Sequence, residues 1–204
     1  MNAATHVGYI IANVNSGPGT NTQSDWTTVI SNAVSRGIRV YGYVYTSYGN
    51  RNGAEVDSAV ATWIRLYPQI HGIFLDETAS GSDRLSYYQA RYNYIKSLAI
   101  NLAVVINPGT ITDEGYMGVS DVNTMFEGTY NSWNSVQFPA WISRYPQNKF
   151  SAIIYGVPGE NDMRNVLSTA VSRNIGTIFV TNGSSPSAPL PIYFQAEANA
   201  VSSR

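Results

Sequence analysis

Apolar runs recur along this chain, separated by amphipathic stretches, and that alternation limits the fold more than any other feature. The runs are Val7–Val14, Ile38–Tyr45, Gly72–Asp76, Leu102–Asn107, Val122–Glu127, Phe150–Val157 and Gly176–Thr181. Most begin roughly 25–35 residues apart, about the length of one βα unit. Between them the spacing is helical. Leu85, Tyr88, Tyr92, Ile95 and Ala99 step by three and four, as do Val56, Val60, Trp63 and Tyr67 before Pro68. Trp26, Val29, Ile30, Ala33 and Val34 form a third such face before Gly37, and Met163, Val166, Leu167, Ala170 and Val171 a fourth. This spacing gathers apolar side chains on one helix face. Ser24, Ser82 and Asn161 are the expected N-caps.

The strand runs are nearly continuous in apolar character, as parallel strands covered on both faces require. Alternating β and α elements mean a parallel α/β architecture, either a (β/α) barrel or an open doubly wound sheet. Barrels run about 250 residues and seldom fall below about 200. A chain of 204 residues is therefore expected to be a minimal or incomplete (β/α)8-like TIM barrel, with about seven parallel strands and one domain over residues 1–204. The gap between Leu102–Asn107 and Val122–Glu127 is too short for a full helix, so a loop or single turn is expected there. A Pro/Ser-rich connection, Ser184–Pro191, precedes a last short helix around Tyr193–Ser202.

Charge is scarce, at 12% of residues against roughly 25% in a typical soluble domain. Asn, Ser, Thr, Gly and Tyr take its place, with 15 Tyr and a net charge of −1. No Lys/Arg cluster offers the basic patch that nucleic-acid binding needs. No apolar run is long enough to span a bilayer. With no Cys, disulfide frameworks, thiolate metal sites and cysteine nucleophiles are excluded. The two His, His6 and His71, make a His-based metal site or a Ser/His/Asp triad unexpected, and His71 at the start of a strand reads as structural. No phosphate-cradling glycine motif is present, and with the His and Cys counts this leaves no metal or cofactor expected. Met1–His6 is too short and polar for a signal peptide.

In both candidate folds, ligands bind at the C-terminal ends of the strands, where this sequence turns polar and glycine-rich. Asp76-Glu77 closes the run Gly72–Leu75, and Glu127 closes another apolar run two strands later. Neighbouring residues on a strand point to opposite faces, so one of Asp76 and Glu77 should face the mouth and the other a loop or neighbouring strand. The competing readings are a helix N-cap for Asp76 or Glu77, and an ion pair with Arg144 or Arg51 for Glu127. Carboxyls on nearby strand tops are what glycoside hydrolysis needs: one acid protonates the leaving oxygen, and the other attacks the anomeric carbon or activates water. Tyr43, Tyr45, Tyr48, Tyr130 and Trp133 lie on strand ends and loops, where stacking on a sugar and core packing are both open. Tyr88, Tyr92 and Trp63 lie on helix faces and read as core.

These segments together resemble the spherulin-4-like family. The resemblance rests on NVNSGPG (Asn13–Gly19), GIRVYGYVYTSYGNR (Gly37–Arg51), IHGIFLDE (Ile70–Glu77), VVINPGT (Val104–Thr110), MFEGTY (Met125–Tyr130), IIYGVP (Ile153–Pro158) and IFVTNG (Ile178–Gly183), in family order across nearly the whole chain. It implies a (β/α)8-type barrel and a secreted or cell-surface, endo-acting glycoside hydrolase that cuts α-1,4-linked N-acetylgalactosamine in galactosaminogalactan-type exopolysaccharide. By the same resemblance Asp76 would be the nucleophile, Glu127 the general acid/base and Glu77 their support. Asn15, Tyr43, Tyr45, Tyr48, Asn107 and Tyr130 would line the sugar site. Retention of configuration is expected, with a polysaccharide as the substrate, no nucleic-acid or membrane partner, and a monomeric chain. A non-catalytic sugar-binding barrel and a glycosidase of another microbial polysaccharide are the alternatives. The resemblance implies one more strand and helix ahead of the segment Val7–Gly19, which leaves two readings: a shorter variant with an open or re-closed barrel, or a chain whose upstream sequence was cut away.

Overall fold

The structure, a computed structural model, describes residues 7–202. The readings made on Met1–His6 lie outside the described residues. In chain order the main elements are β1 (Tyr9–Ala12), α1 (Ser24–Ser35), β2 (Arg39–Tyr45), α2 (Gly53–Leu66), β3 (Gly72–Asp76), α3 (Leu85–Leu98), β4 (Ala103–Asn107), β5 (Val122–Thr129), α4 (Tyr130–Ser135), β6 (Phe150–Tyr155), α5 (Glu160–Ser172), β7 (Thr177–Val180) and α6 (Phe194–Ser202). A single 3-10 turn, Glu114–Gly118, stands in place of a helix between β4 and β5. No helix among the described residues is long and apolar enough to cross a membrane.

The strand order is β1-β2-β3-β4-β5-β6-β7, each strand beside the next in the chain. A doubly wound sheet reverses its order at a switch point. A sequential order winds one way throughout, as in a (β/α) barrel. That order decides between the two folds left open by the sequence, in favour of the barrel type with seven parallel strands.

The expected N-caps are each displaced. Ser24 is the first residue of α1 and Gln23 its cap. Gly81 precedes the 3-10 turn Ser82–Arg84, Arg84 precedes α3 and Gly159 precedes α5. Capping oxygens come instead from Asn52 at α2, which accepts from the Ala54 N–H, and from Thr129 at α4, which accepts from the Ser132 N–H.

The described chain forms two compact units: Gly8–Pro108 with Thr112–Asn123, and 124–202 with Gly109–Ile111 and Val7. In the first unit, parallel register stacks the side chains of β2, β3 and β4 in rows. Tyr41, Gly72 and Ala103 form one row, Tyr43, Phe74 and Val105 the next, and Tyr45, Asp76 and Asn107 the last. Because side chains alternate along a strand, these rows share one face of the sheet. Tyr41, Phe74 and Val105 are buried there, with Tyr43 packed on them. The opposite face carries Gly42 against the Trp63 indole of α2, and the indole N–H donates to the Tyr43 carbonyl at 2.8 Å. His71, just ahead of β3, accepts the Val40 N–H through Nδ1 at 3.3 Å, a structural role. Lys96 of α3 pairs with Asp121 at 2.6 Å, and the same carboxylate accepts the Val104 N–H at 2.8 Å.

In the second unit, Trp133 is fully buried, packed edge-on against Phe126 and Phe138 with the Arg173 guanidinium over its ring. Of the two roles left open for this residue, packing is the one it fills. Helix α6 is fastened to β7 through Glu197, which is 4% exposed. One carboxylate oxygen accepts the Val180 N–H at 2.9 Å, and the other is buried with no hydrogen-bond partner.

Two stability predictions follow from these contacts. A Cβ at Gly42 would lie 2.6 Å from the buried Trp63 ring, so Gly42→Ala is expected to cost about 1–3 kcal/mol by overpacking, measured by urea unfolding. Burial pushes the Glu197 carboxyl from 4.5 up to about 7. Between those pH values the folded chain holds a proton that the unfolded chain has lost, so this group's contribution falls as pH rises through the window. The loss is on the order of 3 kcal/mol. Glu197→Gln keeps an acceptor for Val180 and removes the charge. Its stability relative to wild type is therefore expected to be higher at pH 8 than at pH 5.

Candidate active site

Asp76 is the last residue of β3 and sits in register between Tyr45 of β2 and Asn107 of β4. The rows beneath it are apolar and aromatic, so the polar row marks the top of that sheet face. Asn107 is 7% exposed and its side-chain NH2 donates to Asp76 Oδ1 at 2.8 Å. The carboxylate is thus held by a neighbouring strand while remaining half-buried. Neither acid serves as a helix cap, since Gly81 and Arg84 occupy those positions.

Glu77 does not continue the strand. Its φ is +49°, in the left-handed region, which costs a non-glycine residue on the order of 1–2 kcal/mol. Its carbonyl accepts the Tyr48 N–H at 2.6 Å. The facing turn is strained in the same way, with Ser47 at φ +51° and Tyr48 at φ +55°. Strain of this kind persists only where surrounding contacts enforce it, and it concentrates at functional sites. Alternation alone would place Glu77 on the face opposite Asp76; the left-handed turn removes it from that pattern. Tyr48 is 58% exposed, its ring free of the core.

The remaining expected sugar contacts fall in different surroundings. Tyr43 stacks on Phe74 with ring centroids 6.4 Å apart. Tyr45 lies beneath the Arg51 guanidinium, 4.1 Å from the ring centroid, and Arg51 also donates to the Tyr45 carbonyl at 3.0 Å. Arg51 lies 3.7 Å from Glu55. Asn15 lines a cleft of about 620 Å3 between the β1–α1 loop and α2, with Arg51, Glu55 and Ser58; the residues lining it include neither Asp76 nor Glu77.

Glu127 and Tyr130 belong to the second unit. Glu127 lies two residues before the end of β5, half-buried, and its N–H donates to the Gly109 carbonyl at 2.9 Å. Gly109 has φ +66°, and a Cβ there would come within 3.6 Å of Glu127 Cβ, so the turn after β4 runs close beside this acid. Tyr130 opens α4, and its hydroxyl donates to Asp162 at 3.1 Å. No cluster of three or more His, Cys, Asp or Glu able to hold a metal ion occurs among the described residues.

Two residues at this site escape the sequence patterns. Thr46 is fully buried immediately after β2, and its hydroxyl reaches the carbonyls of Asp76 at 3.0 Å and Glu77 at 2.7 Å. Tyr88 has the buried helix position expected of it, but its hydroxyl accepts the Ala79 N–H at 2.8 Å and lies 2.9 Å from Thr46 Oγ1. A signal for Tyr88 did exist: a buried tyrosine hydroxyl needs a hydrogen-bond partner.

Comparison with known proteins agrees with this architecture. The chain is 32% identical to Spherulin-4 of Physarum polycephalum over 94% of its own length, and it spans 61% of that relative's length. Its structure superposes on that of Aspergillus clavatus Sph3 in complex with GalNAc with a TM-score of 0.83, at 26% identity, covering 95% of this chain and 85% of the other. A chitinase of Rhizomucor miehei shares the fold alone, with a TM-score of 0.62 at 11% identity, covering all of this chain and 95% of the chitinase chain. The family model described as spherulation-specific family 4 matches residues 2–201, and the chain belongs to that family.

Proposed function

We propose that this chain is an endo-acting glycoside hydrolase of an N-acetylgalactosamine-containing, galactosaminogalactan-like exopolysaccharide, working at the cell surface or outside the cell. The observation that carries the reading is Asp76. It is a half-buried carboxylate at the C-terminal end of a parallel strand, oriented by Asn107 and flanked by Tyr45. The GalNAc complex of the Aspergillus relative supports an N-acetylgalactosamine-type substrate.

In this reading Asp76 attacks the anomeric carbon as Glu127 gives its proton to the leaving glycosidic oxygen, leaving a glycosyl ester on Asp76. Water, deprotonated by Glu127, then attacks the same carbon and frees Asp76 with net retention. Glu77 tunes the pair. Asn107 orients the nucleophile, Tyr45 and the exposed Tyr48 offer ring faces to the C–H side of the sugar, and Tyr43, Asn15 and Tyr130 are further contacts along the polymer.

Purified protein is expected to release oligosaccharides from galactosaminogalactan, read by mass spectrometry. Asp76→Asn should abolish release, and Glu127→Gln should slow it by about 10²–10⁴-fold. Full activity in Asp76→Asn, or inversion at the new reducing end by proton NMR, would overturn the assigned roles. Binding of the polymer with no turnover would identify a carbohydrate-binding barrel instead. Product from another microbial polysaccharide alone would move the substrate class.

A further inference from the structure

From the hydroxyl contacts beneath the Asp76-Glu77 turn, we infer that Thr46 and Tyr88 are positioning residues: a buried two-hydroxyl relay that locks Glu77 in its left-handed conformation and so fixes both carboxylates. The inference deepens the hydrolase reading and rests on it for the kinetic consequence, while its structural core stands on contacts within one unit.

The direction of the relay follows from proton counting. The Ala79 N–H donates to the Tyr88 hydroxyl oxygen at 2.8 Å. Thr46 Oγ1 lies 3.0 Å from the Asp76 carbonyl and 2.7 Å from the Glu77 carbonyl, groups that only accept. The single Thr46 proton therefore points at those carbonyls. The 2.9 Å contact between the two hydroxyls then has Tyr88 as donor and Thr46 as acceptor. Charge separation runs one way, from the Ala79 N–H through Tyr88 and Thr46 to the Glu77 carbonyl, and chains of this kind polarise one another.

Both hydroxyl-bearing residues are fully buried, so no water replaces a lost link without opening the core. The backbone adds to the grip. The Thr46 N–H donates to the Asp76 carbonyl at 2.9 Å, the Tyr48 N–H to the Glu77 carbonyl at 2.6 Å, and the Thr78 N–H to the Asn107 carbonyl at 3.0 Å. The Glu77 carbonyl thus receives two donors, one from Thr46 and one from Tyr48, and that pair holds the peptide in an orientation that the left-handed φ of +49° accommodates. Tyr88 is anchored from behind by the Tyr116 ring, with centroids 5.6 Å apart, and Tyr116 itself donates to the Gly81 carbonyl at 2.9 Å. The acid-bearing turn from residue 76 to 81 is therefore held from below by α3 and from the side by the end of β2.

Thr46→Val removes the hydroxyl at nearly constant shape, Thr46→Ser restores it without the methyl, and Tyr88→Phe cuts the relay one link back. In a crystal structure of Thr46→Val, Glu77 is expected to leave the left-handed region or its peptide to rotate. A Glu77 unchanged in φ and carbonyl direction overturns the inference whether or not the wild type hydrolyses anything. In kinetics on the released-oligosaccharide assay, Thr46→Val is expected to lower kcat by about 30-fold or more with KM within about 3-fold, corrected for folded fraction. Thr46→Ser should recover to within about 3-fold of wild type, and Tyr88→Phe should fall between. Equal loss in Thr46→Val and Thr46→Ser would assign the effect to packing and overturn the relay. A wild type inactive on every glycan would overturn the hydrolase reading, leaving the relay to be judged by the structure of Thr46→Val.

Discussion

In-register pairing of β2, β3 and β4 is the constraint on which the rest of the first unit depends. Parallel register places Tyr45, Asp76 and Asn107 side by side, and the period of two along each strand puts them on the face whose lower rows are Tyr41, Phe74 and Val105. A slip of one residue in β3 would send Asp76 to the helix-facing side, and a slip in β2 or β4 would remove Tyr45 or Asn107 from beside it. The glycines that allow this register are those at close approaches. Gly42 admits the Trp63 ring, and Gly72 admits the backbone of β4 at Ala103. Close packing at the bottom of the strands is thus tied to the polar chemistry at their tops.

Several of the few ionic groups hold a definite structural position. Lys96 and Asp121 clamp the start of β4 to the segment before β5, Arg51 covers Tyr45, and Glu197 fastens α6 to β7 at the expense of a buried, unpartnered oxygen. Elsewhere hydroxyls and amides do the work that charges do in more typical domains. Asn107 orients Asp76 in place of a cation, and Thr46 with Tyr88 organises the acidic turn in place of an ion pair. Neutral donors of this kind orient an acid without adding a fixed positive charge beside it, which suits the nucleophilic role proposed for Asp76.

Much of the fold was legible because periodicity is a local property. The β3 run Gly72–Asp76 was readable to the residue, the α3 face from Leu85 was readable except for Ala99, which is extended just past the helix end, and the short gap before Val122 announced the missing helix that the 3-10 turn Glu114–Gly118 replaces. N-caps were less legible. Ser24, Ser82 and Asn161 have suitable side chains, but caps are set by where the incoming loop leaves extended geometry, and Gly159 and Gln23 hold those positions. Trp133 carried two readings in the sequence because a strand-end aromatic serves core and ligand equally well; the Phe126 and Phe138 rings around it decide the matter.

By itself the sequence determined that the chain alternates strands and helices, that its central strands are largely buried, and that Asp76, Glu77 and Glu127 stand at strand ends. All of these follow from the spacing of apolar and polar residues along one segment at a time. Only the tertiary structure decided the strand order that selects the barrel type over a doubly wound sheet, the partner that orients Asp76 and the left-handed turn at Glu77. Each of these depends on residues from different strands, far apart in the chain, meeting across the sheet. No local pattern encodes that Thr46, at the end of one strand, meets the carbonyl of a glutamate at the end of the next.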